Sequence, residues 1–286
     1  MWKVICQEIS RASGEQFDFV DARSVGGGCI NEAYQLRSQG GTVFVKLNQA
    51  TAWDMFEAEA EGLRELAATK TIRVPEPICH GVSDDRAFLV LEYIEMGGRG
   101  SEIERGRQLA QLHRHTGGRF GWKRKNTIGS TPQVNMLQDD WVTFLRKHRL
   151  GYQLDLAMHN GLRIRGGGEL LDRLKSFFNG YTPIPSLLHG DLWSGNMDYS
   201  VDGEPVIFDP ATYFGDREAE FGLAEMFGGF GRAFYQGYGE VWPLDTGYQT
   251  RKELYRLYHT INHYNLFGGG YGSSAQGIVD RLLSQA

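Results

Sequence analysis

Cysteine is scarce in this chain. Cys6, Cys29 and Cys79 are its whole complement, an odd number with no C-x-x-C pair, so neither a disulfide scaffold nor a thiolate zinc site is expected. Long apolar runs are missing too. No stretch approaches the ~20 residues that a membrane-spanning helix needs, so no membrane partner is expected. Nor is there an excess of positive charge: 30 Lys and Arg stand against 35 Asp and Glu, a formal net charge of −5. Binding to nucleic acid or to an anionic membrane surface wants a clustered basic face, and the balance argues against both. The opening residues, MWKVICQEIS, lack the basic-then-apolar layout of a secretory leader, because Glu8 and Arg11 flank a short amphipathic pattern. A soluble cytoplasmic protein is the expectation, with monomer or dimer left open.

Glycine, by contrast, is abundant. The 38 glycines cluster at Gly26 to Gly28, Gly166 to Gly168 and Gly268 to Gly270 without a fixed period, which excludes collagen and solenoid repeats. Such clusters mark loops where the backbone turns through positive φ or approaches something closely. A length of 286 residues allows one large domain or two modest lobes. Trp2, Ile5, Cys6 and Ile9 follow helical spacing. Val43, Val45 and Leu47 alternate with Phe44, Lys46 and Asn48, so two short strands joined at Gly40–Gly41 are predicted, followed by a helix in FEAEAEGLRELAA and a buried strand in RAFLVLEYI. Beyond EMGGRG the patterns turn helical, beginning with a capping box at Ser101 and Glu104. Helical patterns cover DDWVTFLRKHRLGYQLDLAM, LLDRLKSFFNG and most of 218–283, and Asp202–Gly203 marks a tight turn before a short strand. The division expected is a small mixed segment, 1–94, and a larger mainly helical one, 95–286.

The stretch LLHGDLWSGN, residues 187–196, places unusual chemistry in a loop. Asp191 and Asn196 are five apart, and Asp209 follows thirteen later at the end of the strand PVIF. The pattern H-G-D-x-x-x-x-N … D-P resembles the kinase catalytic-loop and metal-binding spacing. In that chemistry the first Asp accepts the proton of an attacking hydroxyl, and the Asn and second Asp present oxygens to Mg2+. A kinase reading demands three features upstream, and each is present. Gly26, Gly27 and Gly28 supply a loop for ATP phosphates, although such a loop alone reads equally as a plain turn. Lys46 lies on a strand, where a lone lysine more often marks a solvated face. A glutamate should hold that lysine. At about 100° per residue, Phe56, Ala60, Leu63, Leu66 and Ala67 share one arc with Glu59 inside it, while Glu57, Glu61 and Glu65 lie opposite. An unpaired carboxylate on an apolar face is costly, so Glu59 is preferred to Glu57 as the partner of Lys46. The end of the buried strand, VLEYI, with Glu92, Tyr93 and Ile94, reads as an adenine-contacting hinge.

These elements occur in one order, and the chain resembles the protein-kinase-like fold: α+β and two-lobed, with an N-terminal antiparallel sheet plus helix and a mainly helical C-terminal lobe. HGD lacks the arginine of protein kinases, and DPATYFG replaces D-F-G, so the likeness is to the small-molecule branch that includes aminoglycoside and choline kinases. Within it, VGGGCIN, FVKLN, MFEAEAEGL, RVPEP, STPQVN, HGDLWSGN, DPATYFGDREAEF, MFGGF and INHYNLFG resemble the fructosamine-3-kinase (ketoamine kinase) family, from about Val25 to Leu283. The resemblance implies ATP-dependent phosphorylation of the 3-hydroxyl of a ketoamine, free or on glycated protein, with ATP and Mg2+ as cofactors. Phosphorylation promotes breakdown of the adduct. An aminoglycoside- or choline-like kinase and a nucleotide-binding pseudokinase are the alternatives. Trp193 reads either as an apolar wall against the sugar or as a packing anchor for the loop. Glu220 reads either as a brace of the catalytic loop or as a solvated helix acid. Asn135, Asp216, His259 and His263 are candidates for the substrate pocket. Cys29, beside phosphate-binding amides, is a candidate for redox sensitivity.

Overall fold

Apolar spacing sets the first helix. In the computed structural model, α1 (Trp2–Ser13) buries Ile5, Cys6 and Ile9 and ends on Gly14 at φ 75°. The structure describes residues 1–26 and 30–285; Gly27, Gly28 and Cys29, three residues of the glycine loop singled out by sequence, lie outside the described residues. There follow β1 (Phe19–Val25), β2 (Glu32–Ser38), β3 (Thr42–Gln49), α2 (Trp53–Ala68), β4 (Pro77–Ser83) and β5 (Arg86–Glu92). The strands form a five-stranded antiparallel sheet in the order β1-β2-β3-β5-β4. Leu36, Val43, Val45, Leu47, Phe88 and Val90 join the buried face of α1 in one core.

Strands β1 and β4 have no counterpart in the pattern read from sequence. All of β1 is exposed or half-exposed, so nothing forces an apolar alternation on it. β4, PICHGVS, carries Pro77 and Gly81, residues that weaken a strand signal.

After α3 (Glu102–His113), whose first turn is capped by Ser101 Oγ accepting from the Glu104 N–H at 3.2 Å, the elements are mostly helical. The hairpin β6 (Asn126–Ile128) and β7 (Thr131–Gln133) precedes a long helical run. That run comprises α4 (Trp141–Phe144), a π-helical segment Leu145–Gly151 and α5 (Tyr152–His159). Next are α6 (Gly167–Arg173), β8 (Ser186–Leu188), β9 (Met197–Tyr199), β10 (Pro205–Ile207), β11 (Tyr213–Gly215) and a 3-10 turn, Arg217–Glu220. The last helices are α7 (Phe221–Met226), α8 (Arg232–Val241), α9 (Tyr248–Phe267) and α10 (Tyr271–Gln285). α3 and α8 cross so closely that a Cβ on Gly106 would lie 2.0 Å from the Phe234 carbonyl oxygen, and one on Gly237 1.9 Å from that of Ile103. No helix among the described residues is long and apolar enough to cross a membrane.

Two compact units emerge, one of 1–99 with 198–208 and the other of 100–197 with 209–286. The boundary therefore falls after residue 99, not after 94 as expected, and the turn around Asp202–Gly203 belongs with the first unit. The cause is pairing between distant segments. Gly97 N–H donates to Tyr199 O (3.0 Å) and Val201 N–H to Glu95 O (2.9 Å), and a Cβ on Gly98 would strike the Ser200 carbonyl oxygen at 1.9 Å.

Candidate active site

In the first unit, Lys46 lies on β3, opposite Ala33 of β2 and Leu89 of β5. Strand alternation alone would send it outward from Val45 and Leu47, yet it is 4% exposed, because the other face of the sheet is covered as well. Its Nζ pairs with the Glu59 carboxylate of α2. Phe56, Ala60, Leu63 and Leu66 are buried on that helix, and Glu59 shares their side; Ala67, expected with them, is exposed near the helix end. A cation and an anion removed from water together persist only because each satisfies the other, so the pair holds the ammonium in one place. Gly26 is exposed after β1. At the end of β5 the Glu92 carboxylate accepts from Arg73 (2.7 Å) and from the Glu76 N–H (3.3 Å), while its own N–H donates to Glu76 O (2.8 Å). Glu92 thus ties β5 to the 73–76 segment through its side chain and N–H. Tyr93 is half-buried and Ile94 buried.

In the second unit, β8 and β11 pair antiparallel with Leu188 opposite Tyr213. The loop leaving β8 and the loop entering β11 therefore emerge at the same end, and Ala211 N–H donates to His189 O at 2.8 Å. Gly190 sits at φ 83°, and a Cβ there would lie 2.2 Å from the Ala211 carbonyl oxygen; only glycine meets both conditions. The Asp191 N–H donates to His189 Nδ1 at 3.3 Å. Asn196 closes the loop: its N–H donates to Trp193 O (3.0 Å), and its Nδ2 to the Asp191 carbonyl (2.8 Å) and Oδ2 (3.3 Å). With the amide nitrogen turned to Asp191, Oδ1 of Asn196 points away as an acceptor. Asp209 has φ 60°, a left-handed conformation that Asp tolerates better than most residues and that recurs where function over-determines the backbone. The Asn196 amide oxygen and the Asp209 carboxylate are hard donors of the kind Mg2+ takes. That ion is usually held by one or two carboxylates with phosphate oxygens and water completing the shell, so the residues present fit it.

Glu220 braces this loop from below. Its carboxylate accepts from the His189 N–H (2.6 Å) and the Gly190 N–H (2.8 Å), and His113 Nε2 approaches at 3.2 Å. Burial opposes its ionisation, but the hydrogen bond and charge of His113, with His189 and the Gly190 N–H, outweigh burial and hold the carboxyl below its ordinary range. His113 carried no signal in sequence, because its partner lies 107 residues away.

Trp193 is half-buried. Its indole folds over Gly195, where a Cβ would lie 2.3 Å from the ring, and meets Phe227 at a centroid distance of 4.7 Å. Two of the pocket candidates are corrected. Asn135 is 2% exposed, donates to Arg124 O and Asn126 Oδ1, and accepts from Arg149, so it belongs to an internal polar network. Asp216 is fully buried and accepts from Tyr181 OH (2.7 Å), Tyr255 OH (2.5 Å) and the Glu218 N–H (3.1 Å); burial raises its pKa against these bonds. Next to it, Glu218 takes two bonds from Arg251. The run DREAE is thus an interior polar knot, legible only as a dense cluster of charge between the apolar pairs Phe214–Gly215 and Phe221–Gly222. His259 is 4% exposed, with Nδ1 buried and lacking a hydrogen bond. His263 is half-buried among aromatic rings.

Comparison with known proteins agrees along the whole chain. The sequence model described as fructosamine kinase matches residues 1–285. The chain is 50% identical over 285 residues to a probable ketoamine kinase of Synechocystis sp., covering 99% of this chain and 97% of that one. It is 46% identical over 267 residues to the chloroplastic protein-ribulosamine 3-kinase of Arabidopsis thaliana, covering 91% and 82% of the two. Among solved structures, one named as a fructosamine-3-kinase of Haemophilus somnus is 32% identical, with a TM-score of 0.92 over 99% of this chain and 98% of that one. An aminoglycoside phosphotransferase, 14% identical over 98% of both chains with a TM-score of 0.61, shares the fold.

Proposed function

Since the chain belongs to the fructosamine kinase family, with an α+β, protein-kinase-like fold, we propose that it is a ketoamine 3-kinase that transfers the γ-phosphoryl group of ATP to the 3-hydroxyl of a sugar ketoamine. The observation that carries this reading is the loop from His189 to Asn196, in which Asn196 orients Asp191 while Glu220 holds the backbone beneath it. Asp191 is the base. Its carboxylate accepts the proton of the attacking hydroxyl as the new O–P bond forms and the bond from γ-phosphorus to the β–γ bridging oxygen breaks. ADP departs, and the proton rests on Asp191. Lys46, held by Glu59, binds phosphate oxygens of ATP. Asn196 and Asp209 hold Mg2+, which neutralises phosphate charge when bound. Gly26 contributes to the phosphate site, and the hinge of Glu92, Tyr93 and Ile94 meets the adenine. Glycated lysines of proteins are within the substrate range, and the cytoplasm is the proposed location.

The test is ADP release with Mg-ATP, comparing ribuloselysine, fructoselysine, choline and no acceptor. Ketoamine-dependent release is expected, and Asp191→Asn should lower kcat by roughly 10²–10⁴-fold, the range for losing a general base. Release with choline alone, or an unimpaired Asp191→Asn, refutes the assignment.

A further inference from the structure

Beyond Trp193 the aromatic contact does not stop. Trp193 meets Phe227 at 4.7 Å between centroids, Phe227 meets His263 at 5.8 Å, and His263 meets Phe267 at 5.7 Å and Tyr271 at 5.1 Å. Four separate pieces of chain build this row: the catalytic loop, the residue after α7, the last turns of α9 and the first residue of α10. Phe227 is 44% and Phe267 56% exposed, and both meet His263, so their open apolar surface lies together in one patch, the arrangement that marks a binding surface. Gly228 and Gly229, at φ 96° and 69°, turn the chain immediately after Phe227, and both Phe227 and Gly229 donate their N–H to Ala224 O (2.9 and 2.8 Å). That ring is therefore presented by a defined helix end.

We propose that the row Phe227–His263–Phe267, continuing from Trp193, is the subsite for the amine-borne part of the substrate: the substituted ammonium and the alkyl chain of the glycated lysine. The inference rests on the ketoamine reading above. The phosphoryl acceptor must sit at Asp191, and in a ketoamine the nitrogen is separated from the reacting oxygen only by C3, C2 and C1. The nitrogen and its alkyl chain thus leave the reacting centre in the neighbourhood of the residue two positions along, which is Trp193. Aromatic faces attract a cation through the ring quadrupole and shield methylene groups from water. His263 suits this place as a neutral wall. Its Nδ1–H donates to the His259 carbonyl at 2.9 Å, and burial lowers its pKa, outweighing that bond, so it adds no positive charge against the ammonium. Exposure of the row at Phe267 leaves room for a lysine that remains part of a polypeptide.

The experiment compares two ribulose ketoamines, one of methylamine and one of the Nε of Nα-acetyl-lysine amide, in wild type, Phe267→Ala, Phe227→Ala and Phe267→Tyr. The readout is the ratio of kcat/KM for the lysine ketoamine to that for the methylamine ketoamine, which cancels any general loss of active protein. The ratio is expected to fall about five- to tenfold in each alanine variant, mainly through KM, as for losing one aromatic face over an alkyl chain, and to persist in Phe267→Tyr. An unchanged ratio in both alanine variants overturns the subsite while leaving the kinase reading intact. Wild-type protein inert toward both ketoamines overturns the kinase reading, and the subsite with it.

Discussion

Replacing Glu220 by glutamine tests the brace under the loop that carries Asp191 with little change of shape. The wild-type carboxylate accepts from two successive backbone N–H groups, His189 at 2.6 Å and Gly190 at 2.8 Å, and is approached by His113 at 3.2 Å. An amide keeps one acceptor and turns an NH2 on the other N–H, so one charge-assisted bond is lost and a buried donor faces a donor. Such a bond is worth about 1.5–3 kcal/mol, and the stranded N–H adds its own penalty, giving a net cost of about 2–4 kcal/mol. For a chain of 286 residues unfolding cooperatively, an unfolding entropy of ~2.1 cal/mol/K per residue sums to ~0.6 kcal/mol/K, so Tm should fall by about 3–7 °C. The loop carrying Asp191 also shifts, and a displacement of order 1 Å costs up to roughly 10²-fold in rate. Calorimetry and ADP release on Glu220→Gln should therefore show both losses together. Glu220 also makes stability depend on pH. Its folded pKa lies below the ordinary value, so its contribution is present above about pH 4.3 and is lost as the pH falls through the folded pKa; the glutamine variant should lack this acid loss. Unchanged Tm and kcat in Glu220→Gln would refute the bracing argument.

Gly190→Ala places a Cβ at φ 83° and 2.2 Å from the Ala211 carbonyl; activity should fall at least tenfold and stability by about 1–3 kcal/mol, and wild-type-like Tm and kcat would contradict the packing described. Glu59→Ala removes the carboxylate paired with the buried Lys46 ammonium, so urea unfolding should register a loss of about 3 kcal/mol with a raised KM for ATP, whereas Glu57→Ala should cost under about 1 kcal/mol; equal effects would reverse the choice between the two acids. His259 is held neutral chiefly by burial, with neighbouring His263 and the Arg149 guanidinium adding to it, and its pKa is lowered to about 3. Below its ordinary pKa of about 6.5 the unfolded chain takes up a proton that the folded one refuses, so stability drops by about 1–1.5 kcal/mol between pH 7.5 and 5.5. His259→Leu should flatten that part of the Tm-against-pH curve, and an identical slope in the variant would show that another group is responsible.

Local patterns carried much of this protein. Helical spacing of Ile5, Cys6 and Ile9, alternation of Val43, Val45 and Leu47, and the wheel that sets Glu59 among Phe56, Ala60 and Leu63 are short-range properties, and the burial of each agrees with them. The order of glycine loop, strand lysine, helix glutamate, HGD, Asn196 and Asp209 is likewise written along the chain, because kinase chemistry keeps a base and a metal ligand at a set separation and the proposed roles follow that spacing. What sequence spacing could not decide was which polar side chains face inward. Asn135 and Asp216 read as pocket residues, yet both are consumed by internal hydrogen bonds from Arg149, Tyr181 and Tyr255. His113 beneath Glu220, the 198–208 segment joining the first unit, and the aromatic row from Trp193 to Phe267 all rest on contacts between residues far apart in the chain. Short-range order follows from residue type and period, since each residue's neighbours along the chain are known. Partnership of buried charge and of exposed rings depends on which distant surfaces meet, and only the folded chain brings those together.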